Sequence, residues 1–330
     1  MTSHSSYGPN TTATEVALAF KDQIKGKTVV ITGVSPNGIG AATALAIASQ
    51  HPAALVLASR TQANLDAVVA DIRAQHPTSS LTPATVLLDL SSLDSIRAAA
   101  ERITSSSTAS TSSSTTPASP CRPAMPSPPR RRRRRPAALH QPCRHFSPHL
   151  VAAAPHHRFG RRRSRRQPEQ HGPPPLPIRF SDYAFQKDLY DGHTGDYPGF
   201  VGYGQSKTAN VLHAWELTRR AHARGDAVLS LSVHPGTIVT GLTRSLDTEG
   251  RAAMDGTAPN GIPKTLDEGA ATTLVAAFDP ALAQGDVAAG PLFLADCQLA
   301  PEKMAPHGQD GAAAQRLWDE TEKMLGIKCL

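Results

Sequence analysis

Apolar and polar positions alternate in blocks along the first hundred residues. Residues 28–33, TVVITG, form a short β-rich apolar run ending in glycine, and the GIGAATALAIASQ behind it predicts a helix. ALVLASR (54–60) predicts a second strand, TQANLDAVVADIRAQ a second helix, ATVLLDL (84–90) a third strand, and LSSLDSIRAAAERI a third helix with Ser91 or Ser92 as its N-cap. Strands alternating with helices at this spacing predict an α/β fold, a parallel doubly wound sheet covered on both faces.

The pattern then stops. Thirteen of the sixteen residues from Thr104 to Ser119 are Ser or Thr, and Pro and Arg dominate from there to Pro177. Such a composition buries too little apolar surface to offset its ordering entropy, so 104–177 reads as a low-complexity, disordered segment interrupting one domain that spans 1–330. Order is expected again from IRFSDYAF (178–185), through a helix carrying YGQSKTANVLHAWELTRRAHA, the strand AVLSLSVHPG (227–236), the helix LDEGAATTLVAAF (266–278) and a last short strand, GPLFLAD.

Charge follows the same division. The 330-residue chain has a formal charge of +7, but residues 104–177 hold fourteen Arg, no Lys and one acid, Glu169. That segment alone is +13, and subtracting it from +7 leaves −6 on the rest. The basic character is therefore not a property of the α/β part, and no nucleic-acid partner is expected for it. A different reading takes the segment as a genuine Arg/Ser/Pro-rich insertion that binds nucleic acid phosphates on a catalytically dead scaffold. Phe146 and Phe159 are the segment's only aromatic interleaving, which speaks against that reading.

The four cysteines show no CxxC spacing, which suits a reduced compartment. With no apolar leader and no run of eighteen apolar residues, a cytoplasmic protein without a membrane span is expected. No metal is expected either, since His140, His145, His149, His156 and His157 all lie in the segment that lacks a scaffold.

Candidate chemistry sits in the α/β blocks. Gly33, Gly38 and Gly40 of TGVSPNGIG stand between a strand and a helix, where they allow a tight turn and let helix N-terminal N–H groups meet a pyrophosphate. A plain strand-to-helix turn would use glycines as well. Where an NAD site places an acid at the end of the second strand, this chain has Ser59 and Arg60. An arginine there pairs with a 2′-phosphate and favours NADP(H), unless it is simply a solvated residue at a helix start. Asp89, after the third strand, is a candidate adenine contact or a cap for the next helix.

Tyr203 and Lys207 stand four apart on a predicted helix and so face the same way. A phenol of pKa near 10 exchanges protons poorly at neutral pH, but an adjacent ammonium stabilises its phenolate. It can then give a proton to a carbonyl oxygen or take one from an alcohol. A surface Tyr/Lys pair would look the same in isolation.

With TGVSPNGIG, YGQSK and HPGTIVT in this order, the sequence resembles the short-chain dehydrogenase/reductase family, in particular its fungal, retinol-dehydrogenase-like members, over about residues 20–103 and 178–300. The resemblance implies a Rossmann-type sheet and an NADP(H)-dependent exchange of alcohol and carbonyl on a small, lipophilic substrate. Tyr203 would be the acid/base, while Lys207 would hold the ribose and lower the tyrosine pKa. Ser35 and Ile39 would join Gly33, Gly38 and Gly40 around the cofactor, Ile238 would meet the carboxamide through its backbone, and Thr240 the phosphates. Asn37 adds one residue to the usual glycine spacing.

The family also needs an Asn-Asn-Ala-Gly turn after its fourth strand and a serine after its fifth. Both would fall inside 104–177, and neither is there. Regrouping the codons that Ser110 to Cys121 allow permits Ile-Asp-Val-Leu-Ile-Asn-Asn-Ala-Gly-Val-Ala-Met. The other offset permits Phe-Thr-Asn-His-Val-Gly at Leu139 to Arg144, and Val-Val-Asn-Leu-Ser-Ser-Met at Arg165 to His171. The segment therefore reads as frame-shifted, with Arg130 to Arg135 as GC-rich codons out of register. Without strands four and five the sheet would open by about 10 Å, two inter-strand spacings. A chain so written is expected to turn over little.

Overall fold

A computed structural model describes residues 1–109, 150–151, 177–183, 199–238, 262–284 and 290–328. Near the N-terminus, α1 (Ala13–Ala19) is capped by Thr12, whose hydroxyl accepts from Glu15 N–H, and α2 (Lys21–Ile24) follows directly. The first half of the sheet is β1 (Thr28–Thr32), β2 (Ala54–Ser59) and β3 (Ala84–Leu87), with parallel pairs Val30↔Val56 and Ala58↔Val86. The crossovers are α3 (Ile39–Ala48) and α4 (Gln62–Gln75). In α4 the buried positions are Leu65, Val68, Val69 and Ile72, the one-faced spacing of a helix laid on a sheet.

The second half is a four-stranded sheet in the order β4 (Leu150–Val151), β5 (Ser230–His234), β6 (Phe293–Ala295) and β7 (Gln298–Leu299); the first three are parallel and β7 turns back. Its helices are α5 (Leu93–Ala109), which leaves β3, α6 (Gly199–Ala223), α7 (Leu266–Phe278) and α8 (Gly311–Leu325). This is the doubly wound Rossmann-type architecture. Among the described residues its two sheets are separate, and the strand beside β5 is reduced to two residues.

Helix α7 joins the halves. A capping box starts it: Thr265 accepts from Glu268 N–H, and Glu268 accepts from Thr265 N–H. Its faces then bury Ala270, Ala271, Leu274, Val275 and Phe278 against α1 and α3 on one side and β5 and β6 on the other. Burying Leu274, Val275 or Phe278 fully is worth about 1.5–3 kcal/mol each. One apolar cluster consequently runs from Val16 and Ile47 through Leu57 to Leu294. The residues before α1 follow the same path: Ser3 N–H donates to Asp279 Oδ2 at 2.7 Å, and Gln298 Nε2 donates to the carbonyls of His4 and Tyr7 at 2.8 and 2.9 Å.

Several bounds differ from expectation. The third strand stops at Leu87 because the chain turns at Asp89, whose Oδ1 accepts from Ser91 N–H and Oγ–H. Helix α5 starts after Ser92, whose hydroxyl accepts from Ser95 N–H at 3.3 Å, and it continues to Ala109, six residues past the expected end. Two residues of the Arg/Pro-rich segment, Leu150 and Val151, form a strand. Residues 110–149 and 152–176, with Arg130 to Arg135, lie outside the described residues. The short strand β7 and helix α8 were not foreseen.

Helix α8 is held to α6 by a buried acid. Glu216 is 1 % exposed and accepts from Arg219 at 2.6 and 2.7 Å and from Arg220 at 2.6 Å, while Arg220 reaches Asp319 of α8 at 2.9 Å. Trp318 fills the seam, stacked on His213 at 5.0 Å and lying under Arg220 at 5.1 Å. Burial disfavours the Glu216 carboxylate, but the hydrogen bonds and charges of the two arginines outweigh it and hold its pKa below the usual carboxylate range. Glu216→Ala should cost about 2 kcal/mol in urea denaturation. Because the folded-state pKa is depressed, that deficit should be complete above about pH 4.3 and should close as the pH falls below it.

Candidate active site

Most of the described residues singled out from sequence follow the carboxyl ends of strands: the glycine turn follows β1, Arg60 follows β2, Asp89 follows β3 and Ile238 follows β5. At the end of β1 the chain reverses through Gly33, at φ 71°, and Val34 N–H is tied to the carbonyl of Ala58 at 3.2 Å. The extra residue of the glycine turn, Asn37, takes the left-handed conformation at φ 57°, one that asparagine tolerates better than most side chains. Gly38 donates to the Ser35 carbonyl at 3.1 Å and then serves as the N-cap of α3, with no side chain capping the helix. A Cβ on Gly40 would lie 3.0 Å from the carbonyl oxygen of Gly33, and one on Gly38 would lie 2.9 Å from Ser35 Oγ.

These contacts explain the glycines: the first turn of α3 is pressed onto the backbone of the turn before it. Its leading N–H groups, from Ile39 and Gly40 onward, carry the positive end of the helix dipole and lack a side-chain partner, which is the physical requirement for an anion site. The pyrophosphate of a dinucleotide fits that chemistry.

Arg60 follows β2 directly and is exposed. Asp89 stands beyond β3, the neighbouring strand, and its carboxyl is held below the usual range first by the hydrogen bonds from Ser91, with a smaller contribution from the Arg60 charge. The two residues thus share one end of the sheet. Asp89 closes a turn before α5, whose first turn is capped by Ser92 and not by Asp89.

Tyr203 and Lys207 lie one turn apart on α6. The Tyr203 side chain is outside the described residues. Lys207 is half-buried, and burial pushes its ammonium pKa down. Its charge contributes least to the lowering of the pKa of His234, the last residue of β5, the strand on which α6 packs. From His234 the chain passes Gly236, at φ 88°, and reaches Ile238, which is buried. Thr240 is outside the described residues, as is the stretch 241–261.

Sequence reasoning missed what fixes Ile238. Its side chain enters a notch in α7 where residue 269 is glycine; a Cβ there would stand 2.1 Å from Ile238 Cδ1. Lys264 pairs with Ile238 as an isolated parallel bridge and donates its N–H to the Thr237 carbonyl at 2.8 Å. Its ammonium reaches Asp296 at 2.7 Å, which Lys303 also approaches at 2.8 Å. The one legible hint was the Asp296-Cys297 pair between two apolar runs, a two-residue hairpin spacing.

Among the described residues there is no cluster of His, Cys, Asp and Glu able to hold a metal, and no helix long and apolar enough to cross a membrane.

A βαβ sheet with a glycine turn at an uncapped helix start defines a Rossmann-type scaffold, and the chain has relatives in sequence and in fold. No family model matches the chain. It is 35 % identical over 143 residues to the short-chain dehydrogenase/reductase prx1 of Penicillium rubens, covering 40 % of each protein. It is 29 % identical over 319 residues to bovine dehydrogenase/reductase SDR family member 13, covering 92 % of this chain and 74 % of that relative. A crystal structure of a Mycobacterium paratuberculosis protein superposes with a TM-score of 0.53 at 18 % identity, over 93 % of this chain and 96 % of that one, which supports the fold. The chain is thus similar in sequence to members of the short-chain dehydrogenase/reductase family. Its match spans about two fifths of the length of the Penicillium relative.

Gly40→Ala forces a Cβ against backbone that has no flexible end to give way. It should destabilise the fold by about 1–3 kcal/mol in thermal denaturation and weaken nucleotide binding, measured by NADPH fluorescence.

Proposed function

We propose that the protein is an NADP(H)-dependent oxidoreductase interconverting an alcohol and a carbonyl, with Tyr203 as acid/base. The observation that carries this reading is the uncapped N-terminus of α3 behind a glycine turn, with Arg60 at the end of the next strand, while Tyr203 and Lys207 lie one turn apart on α6, which packs on β5. The glycines Gly33, Gly38 and Gly40, with Ser35 and Ile39, would receive the pyrophosphate. Arg60 would pair with the 2′-phosphate, which an acid in that place would repel. Asp89 would face the adenine, Ile238 would offer its backbone to the carboxamide, and Thr240 would reach the phosphates. The bound nicotinamide supplies or accepts the hydride at the substrate carbon.

The rest of the chemistry belongs to side chains. In the reductive direction Tyr203 gives its hydroxyl proton to the developing alkoxide and is left as a phenolate. Lys207, whose half-buried ammonium is penalised for lack of solvent, gains from an anion one helical turn away, so the two groups lower the cost of each other's charge. In oxidation the same phenolate takes the alcohol proton. A preference for NADPH favours reduction, and the family resemblance favours a small lipophilic carbonyl as the substrate. The proposed compartment is the cytoplasm.

The frame-shift reading of 104–177 goes with this proposal. Two described facts suit it: the strand beside β5 has only two residues, and the buried hydroxyls of Thr208 and Ser230 lack hydrogen-bond partners where α6 and β5 would meet a full neighbour. The transcript is expected to place the Asn-Asn-Ala-Gly codons in frame; an uninterrupted frame through Arg130 to Arg135 would remove this part of the proposal.

With the register restored, Tyr203→Phe should lower kcat by about 10²–10⁴-fold while the Kd for NADPH stays within twofold. Retained turnover would refute Tyr203 as the acid/base. Arg60→Ala should raise the KM for NADPH about tenfold, a loss of roughly 1.4 kcal/mol, and leave the KM for NADH unchanged. Equal effects on both would remove Arg60 from the 2′-phosphate.

A further inference from the structure

Between the end of β5 and the start of α7, three residues are held more firmly than the mouth of a loop requires. Gly236 has φ 88°, and a Cβ on it would lie 2.8 Å from Lys264 Cδ and 2.9 Å from Cε, so the lysine stem runs directly over the glycine backbone. The next residue, Thr237, has its carbonyl taken by Lys264 N–H, and Ile238 is locked into the Gly269 notch. One lysine therefore covers the stretch with its stem and ties it with its backbone.

The ammonium of that lysine needs a partner, because its side chain is 6 % exposed. Asp296 supplies it from a turn that is itself unusual. Both Asp296 and Cys297 have left-handed backbone, at φ 50° and 63°, and no glycine relieves it. Such conformations are strained and persist only where the surroundings over-determine them. Here the surroundings do: Cys297 N–H donates to Thr272 Oγ1 at 3.1 Å, and the Asp296 carboxylate takes both Lys264 and Lys303. The register of β5 with β6, His234 opposite Ala295, puts this turn beside the start of the stretch it controls. The strain is kept at the one point from which a carboxylate reaches Lys264.

We propose that Lys264, anchored by Asp296, is a positioning residue for the nicotinamide half of the cofactor. It fixes the 236–238 backbone so that Ile238 presents its peptide groups at one place. This rests on the NADP(H) reading above. It adds a determinant outside the glycine turn and the Tyr203/Lys207 pair, one that acts on half of the cofactor only.

The test titrates the full-length protein with NADPH and, separately, with 2′,5′-ADP, the half that needs Arg60. Lys264→Met should raise the Kd for NADPH about tenfold and leave the Kd for 2′,5′-ADP within twofold. Lys264→Arg, which keeps the ion pair, should recover most of the loss. Lys303→Ala, which leaves the Lys264–Asp296 contact in place, should change neither. If Lys264→Met weakens both ligands equally, or weakens neither, the inference is wrong and the NADP(H) reading stands. A wild-type chain that binds 2′,5′-ADP and NADPH no better than buffer controls overturns both.

Discussion

Everything on the carboxyl side of the sheet depends on the burial of α7 between α1 and α3 of the first half and β5 and β6 of the second. The described strands of the two halves share no hydrogen bond, so what keeps β1 and β5 in one body is apolar contact: Leu274, Val275 and Phe278 of α7 sealed against α1, α3, β5 and β6. The same helix supplies the Gly269 notch that takes Ile238. Fold and candidate site therefore share one packing event. A side chain at 269 would push Ile238 out and would disturb the start of α7 with it.

Electrostatics plays a second part, and it does so at two acids, Glu216 buried and Asp296 partly exposed, with different consequences. Glu216 fastens α8 to α6 far along the helix from Tyr203, and its two arginines reach solvent, so its role reads as attachment. Asp296 pairs with a lysine that is almost wholly buried. Asp296 sits within reach of His234, whose ring partly meets solvent yet is held below its ordinary pKa, first by the surrounding protein and then by Lys264, Lys303 and Lys207, with Asp296 opposing.

The glycine turn shows how local chemistry and packing combine. The left-handed Gly33 and the close approach of Gly40 to Gly33 leave the start of α3 open to an anion, and the surplus residue Asn37 is absorbed as one left-handed position without disturbing the helix start. Arg60 and Asp89 come to the same end of the sheet because β2 and β3 are parallel and adjacent, with Ser59 in register with Leu87.

The sequence by itself determined the blocks: the β1-to-α5 alternation, the α7 helix, the glycine turn and the helical spacing of Tyr203 and Lys207 were legible because each depends on contacts within a few residues or on a repeating apolar period. It set 104–177 apart by composition, whereas the structure carries α5 on through 104–109 and pairs Leu150 and Val151 with β5. Only the tertiary structure decided the roles of Lys264, Asp296, Gly269 and Glu216. Their partners lie at sequence distances of 32 residues for Lys264 and Asp296 and 99 for Arg220 and Asp319, and no periodicity records a pairing that the sheet register and helix packing create. The strand that stopped at Leu87 makes the same point on a small scale, since it was ended by a side-chain hydrogen bond from Ser91 to Asp89 that apolar patterning does not encode.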